Sequence, residues 1–282
     1  VYLTLPREVL ATEISEFKYG PASQHANATP PHPDLNAIDQ LAEIVANAEN
    51  PVIVTTQSGR VPAAVEALAD LAERFAIPVT QYRPRVMNLP TDHAMHMGYD
   101  PALLLDKADV IIAVECEVPW IPRLKKPNSD CVVAQIAADP LYSDAPHRGF
   151  RADFAITGIV DVSMRALLAA LEARGAMAQD RVAARRSRIV EAGAALQKEW
   201  KNQLENMSSS QPIASAWLSH CLSNVVDDSA VIIRESPLDL RFVERRQPCT
   251  LFGGASGLGW GLGGAIGAKL ANPDALVVAT EG

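Results

Sequence analysis

The sequence predicts an α/β protein: a parallel-sheet central domain covered by helices on both faces, followed by an incomplete second α/β domain. Three observations carry this. Apolar runs of strand length without polar alternation, such as Val52-Ile53-Val54 and Val110-Ile111-Ile112-Ala113-Val114, are separated by segments of helical spacing. That is how strands buried on both faces of a parallel sheet read. The length, 282 residues at 48% hydrophobic and 21% charged, exceeds one typical domain and supports at least one large core. A second strand-and-helix series starts at Pro212 and stops after too few strands to close a core of its own.

The elements follow in order. Val1-Tyr2-Leu3-Thr4-Leu5-Pro6 reads as a strand entering a proline-ended turn, and residues 16–33, rich in Pro, Ala, Asn and His, as a linker. Leu35, Ile38, Leu41, Ala42 and Val45 recur at helical spacing until Asn50-Pro51 stops the helix. Next come a helix over 62–75, a short strand over 77–80, and a long loop containing Arg83, Arg85, His93 and His96. Strands are expected at 109–114, 131–137 and 154–156, and a helix at 160–171 completes a Rossmann-like domain over 34–172. Residues 173–210 read as a helical connector whose cluster Arg181, Arg185, Arg186 and Arg188 is a solvated face. The second domain, 211–282, holds a helix at 213–225, a strand at 230–233, a glycine-rich stretch, a helix at 262–270 and a strand at 276–279.

Composition excludes several functions. A formal net charge of -8 would repel nucleic acid and anionic membranes alike. Cys116, Cys131, Cys221 and Cys249 form no CxxC pair, which points to a reducing cytoplasm rather than to zinc or a disulfide framework. The N-terminal residues show neither a basic nor a long apolar signal region. The apolar stretch 253–271 is no membrane helix, because it contains eight of the 16 glycines. His93 and His96 lie in a loop without a matching carboxylate motif and are not expected to bind a metal. The anticipated partner is therefore a small molecule or another subunit.

Gly259-Trp260-Gly261-Leu262-Gly263-Gly264 satisfies GxGxxG, and Glu281 ends the following strand, so a dinucleotide-binding oxidoreductase domain is a competing reading. The feeding segment 248–252 is, however, a poor central strand, and the glycines overrun the fingerprint on both sides. A non-catalytic nucleotide-binding or assembly module is a third reading.

The longer string from Gly254 to Ala271, followed by Pro273-Asp274 and Val277-Val278-Ala279, resembles thiamine-diphosphate-dependent enzymes of the acetolactate synthase and benzoylformate decarboxylase type. Pro51-Val52-Ile53-Val54, Leu71-Ala72-Glu73-Arg74-Phe75 and Ala108-Asp109-Val110-Ile111 resemble the central domain of that family, and residues 1–10 the exit strand of its upstream pyrimidine-binding domain. The resemblance implies a thiamine diphosphate- and Mg-dependent 2-oxo-acid decarboxylase or carboligase, acting on a small 2-oxo acid or aldehyde as a homodimer or homotetramer when full length. Leu258 would prop the cofactor's two rings, Gly257 would offer its carbonyl, Gly259 would let the backbone approach, Ser236 would touch the diphosphate, and Gly282 would open the Gly-Asp-Gly metal triplet. The catalytic Glu is expected upstream of Val1 and the metal ligands after Gly282, so this piece alone is expected to be inactive. FAD is not expected, because Thr55-Thr56-Gln57-Ser58-Gly59-Arg60 has one glycine where flavin-binding relatives have several.

Overall fold

Asp34 opens the first long helix, α2 (Leu35–Asn47), its carboxylate accepting a hydrogen bond from Asn36 N–H at 2.9 Å. The computed structural model describes residues 4–145, 149–175, 179–236, 238–254 and 257–282. The chain divides into Val1–Pro30 and Pro31–Gly282.

Within the first unit the described residues contain a short helix, α1 (Arg7–Leu10), and no strand. A strand over residues 1–10 was expected; Val1 to Leu3 lie outside the described residues, and the rest closes a helical turn through Leu10 N–H to the Pro6 carbonyl. A strand needs an edge to bond to, whereas a helical turn satisfies its backbone locally.

In the second unit β1 (Pro51–Thr55), β2 (Val79–Gln81), β3 (Val110–Val114), β4 (Val132–Ala137) and β5 (Phe154–Thr157) form one parallel sheet in the order β2-β1-β3-β4-β5. Every residue of β1 and β3 is buried, which explains their unbroken apolar sequence. Alternate residues point to opposite faces. Ile53, Val110, Ile112 and Ile136 pack against α2, α3 (Pro62–Phe75) and α5 (Val160–Ala173) through Leu41, Leu68, Leu71, Met164 and Leu167. Burying each such side chain stabilises the fold by about 1.5–3 kcal/mol. Val52, Val54, Ile111 and Val133 face the other way, where the cover is the short helix α4 (Ala102–Leu105) and loop residues including Trp120.

The expected connector is one long helix, α6 (Gln179–Met207). Its basic cluster is solvated only in part, with Arg181 and Arg188 exposed but each bonded to the protein. Arg185 is buried, Arg181 donates to the Asn47 carbonyl at 2.5 Å, Arg188 donates to the Glu49 carbonyl and Asn50 Oδ1, and Arg186 pairs with Glu73. The carbonyls around the end of α2 lack helical partners and carry the negative end of its dipole, so the arginines dock there.

After α7 (Ser215–Val225) a second parallel sheet has the order β7-β6-β8, from β6 (Val231–Arg234), β7 (Leu251–Gly253) and β8 (Val277–Thr280), with α8 (Gly261–Ala271) packed on it. The segment judged a poor central strand becomes β7, three residues long, paired along its length with β6 and bridged at Phe252 to Val86. The outer face of α8 leaves Leu262, Ile266 and Leu270 exposed.

Candidate functional site

The carboxyl ends of β6 and β8 and the turn before α8 meet at one place, the position where open α/β sheets accept ligands. Glu235 and Ser236 follow β6; both of their amides donate to the Thr280 carbonyl, at 3.1 and 2.8 Å. Thr280 Oγ1 returns a bond to the Ser236 carbonyl at 3.0 Å, so the two strand ends are tied together. A Cβ on Gly282 would lie 3.9 Å from Ser236 Oγ, which puts two of the expected site residues side by side.

The other three lie on the turn. Gly257 and Gly259 are exposed, with open space where a Cβ would project, and Gly259 has φ +83°, a left-handed conformation that glycine adopts without strain. Between them Leu258 is 91% exposed. Within this chain it fills no core. Ala255 and Ser256 of the same string, and Pro237 after Ser236, lie outside the described residues.

Glu235 joins the two halves of the site. Its Oε1 accepts from Gly259 N–H and its Oε2 from Gly261 N–H, both at 2.6 Å. These bonds hold its pKa below the usual carboxylate value, while burial and the neighbouring Glu235 push Glu281 up. The sequence reading missed Glu235 as a bonding partner. The available signal was a helix start, Trp260-Gly261, with no capping side chain of its own, which demands an acceptor from elsewhere.

The same geometry speaks against the dinucleotide reading. In that fold the glycine-feeding strand lies beside the strand carrying the ribose-binding acid. Here β6 separates β7 from β8 and Glu281.

The model of the thiamine pyrophosphate enzyme central domain matches residues 38–167, which span the five-stranded sheet. Over these residues the chain is similar to the central domain of thiamine pyrophosphate enzymes. Acetolactate synthase isozyme 1 large subunit of Escherichia coli (strain K12) is 25% identical over 300 residues, which take in 100% of this chain and 50% of that protein. Among solved structures, a Mycobacterium smegmatis protein described as a thiamin diphosphate-dependent enzyme aligns with TM-score 0.68 at 24% identity, over 93% of this chain and 50% of the other. Benzoylformate decarboxylase from Polynucleobacter necessarius aligns with TM-score 0.66 at 16% identity, over 98% and 51%. These structural likenesses establish the fold. The chain spans half the length of these relatives.

Elsewhere in the chain, the loop residues singled out in the sequence make the following contacts. His96 is buried, its Nδ1 accepts from Gly98 N–H at 3.3 Å, and burial lowers its pKa to about 4. His93 Nδ1 accepts from Met95 N–H at 3.1 Å. Among the described residues no three His, Cys, Asp or Glu side chains group as metal ligands. Arg85 lies 3.7 Å from Glu117, and Arg83 stacks over the Tyr82 ring at 5.6 Å. Among the described residues no two cysteines are joined in a disulfide. No helix among the described residues is long and apolar enough to cross a membrane.

Proposed function

We propose that this chain forms part of a thiamine diphosphate- and magnesium-dependent 2-oxo-acid decarboxylase or carboligase, with Ser236, Gly257, Leu258, Gly259 and Gly282 in its cofactor site. The carrying observation is the exposed Leu258 set between two glycines at the strand ends. A large apolar side chain held in the open on a turn suits a group that a flat organic ring covers, and the missing Cβ atoms on either side leave room for that ring.

When bound, the cofactor supplies an electron sink for breaking or forming a bond next to a carbonyl. Leu258 would support the face of the rings, the Gly257 carbonyl would accept a hydrogen bond from the pyrimidine amino group, and the backbone around Ser236 would approach the diphosphate. No proton-transferring or metal-ligating role falls on residues 1–282 in this reading. The whole enzyme would act on a small 2-oxo acid or aldehyde, in the cytoplasm, as a homodimer or homotetramer without FAD.

Calorimetric titration tests the reading. A polypeptide of the relatives' length should bind thiamine diphosphate with Mg2+ saturably and release carbon dioxide from a 2-oxo acid only when both are present. No saturable binding by that polypeptide would reject it. The 282-residue chain alone should bind far more weakly, because its share of the site is one turn and two strand ends.

A further inference from the structure

Three features single out Glu235. It is anchored at the end of β6, its amide donating to the Thr280 carbonyl at 3.1 Å. Its two carboxylate oxygens take separate partners, Gly259 N–H and Gly261 N–H, each at 2.6 Å, so the carboxylate brackets Trp260 at the start of α8. The helix start offers no capping side chain of its own. The fit is tight, since any Cβ on Gly261 would collide with Glu281 Oε1 and approach Glu235 Cβ to 2.9 Å.

Among the described residues the turn beyond this clamp has little else to hold it. Gly257 and Gly259 have nothing within 4 Å of a Cβ position, and Leu258 is 91% exposed. The Trp260 ring is anchored against Gly254 and Gly264, which fixes the helix side of the turn. The place of Leu258 is thus decided by the backbone on either side of it, and on its helix side that backbone is bonded to Glu235.

We propose that Glu235 is a positioning residue that sets the Gly257–Gly259 turn, and so fixes the height at which Leu258 stands. This rests on the cofactor reading of that turn, and the experiment separates the two. On the 282-residue chain, amide hydrogen exchange at Gly259 and Gly261 reports the clamp without any cofactor. Glu235→Ala should speed exchange at both sites by at least about tenfold, with the amides of β1 and β3 unchanged. Glu235→Gln, which keeps one acceptor oxygen and the side-chain size, should speed exchange at one site only. Unchanged exchange at Gly259 and Gly261 in either variant that folds overturns the proposal.

In the longer polypeptide, Glu235→Ala should lower kcat at least about tenfold while the Kd for thiamine diphosphate moves less, and should cost little more in a Leu258→Ala background. Full additivity with Leu258→Ala, or a normal kcat, overturns the positioning role. A wild-type polypeptide that binds no cofactor, with the exchange results as expected, instead rejects the cofactor reading and leaves the clamp standing.

Discussion

The side-chain oxygen of Asn88 accepts a hydrogen bond from the amide of Gly59 at 2.9 Å, joining the turn after β1 to the loop after β2. Asn88 also accepts from Ser58 Oγ at 3.1 Å and donates to the Thr56 and Val86 carbonyls at 3.1 and 2.9 Å. Its own amide donates to Gln81 Oε1 at 2.8 Å. Asn88 is fully buried, and Gly59 is needed because any Cβ there would overlap the Met87 carbonyl. The loop so fixed carries Arg85, whose carbonyl accepts from Gly253 N–H at 2.7 Å, so the network reaches the second sheet.

Asn88→Ala should therefore orphan several buried groups at once, at about 1–3 kcal/mol each. The expected loss is roughly 3–5 kcal/mol in urea unfolding, where a loss under about 1 kcal/mol would mean that water replaces the side chain without strain.

His96 should make stability fall in mild acid. Burial holds its folded pKa at about 4 against the usual 6.5, so the unfolded chain takes the proton first as pH drops. The native state therefore loses stability between pH 6.5 and 4, and the loss is complete below 4; the gap corresponds to roughly 3 kcal/mol. His96→Asn keeps an acceptor for Gly98 N–H and removes the titration. Unfolding curves of the two proteins should converge above pH 7 and separate in that window; parallel curves would refute the assignment.

Leu258→Ala should leave the 282-residue chain as stable as before, within about 0.5 kcal/mol, because a side chain 91% exposed adds almost nothing to the core. Thermal melts check this. A drop of about 2 kcal/mol or more would place Leu258 in a packed environment and remove the basis for its ring-supporting role.

The double variant Arg181→Ala/Arg188→Ala should cost about 1–2 kcal/mol, since it strips donors from the Asn47 and Glu49 carbonyls beside the end of α2. Urea unfolding measures it. A change within about 0.3 kcal/mol would restore the solvated-face reading of this cluster.

The strand segments were legible in the sequence because burial on both faces of a parallel sheet writes itself into consecutive residues: Ile111-Ile112 and Val52-Ile53-Val54 need no partner's identity to be read. The helical spacing from Leu35 and the stop at Asn50-Pro51 marked α2 by local chemistry, and the glycine string marked the turn before α8. Only the tertiary structure decided where the polar groups go. Arg181 meets Asn47 across a separation of 134 residues, Asn88 meets Gly59 across 29, and Glu235 meets Gly261 across 26. None of these pairings has a period or a local spacing. Each arises because an unpaired backbone group at the end of one element is brought within reach of a side chain on another, and that demand exists only after the chain has folded.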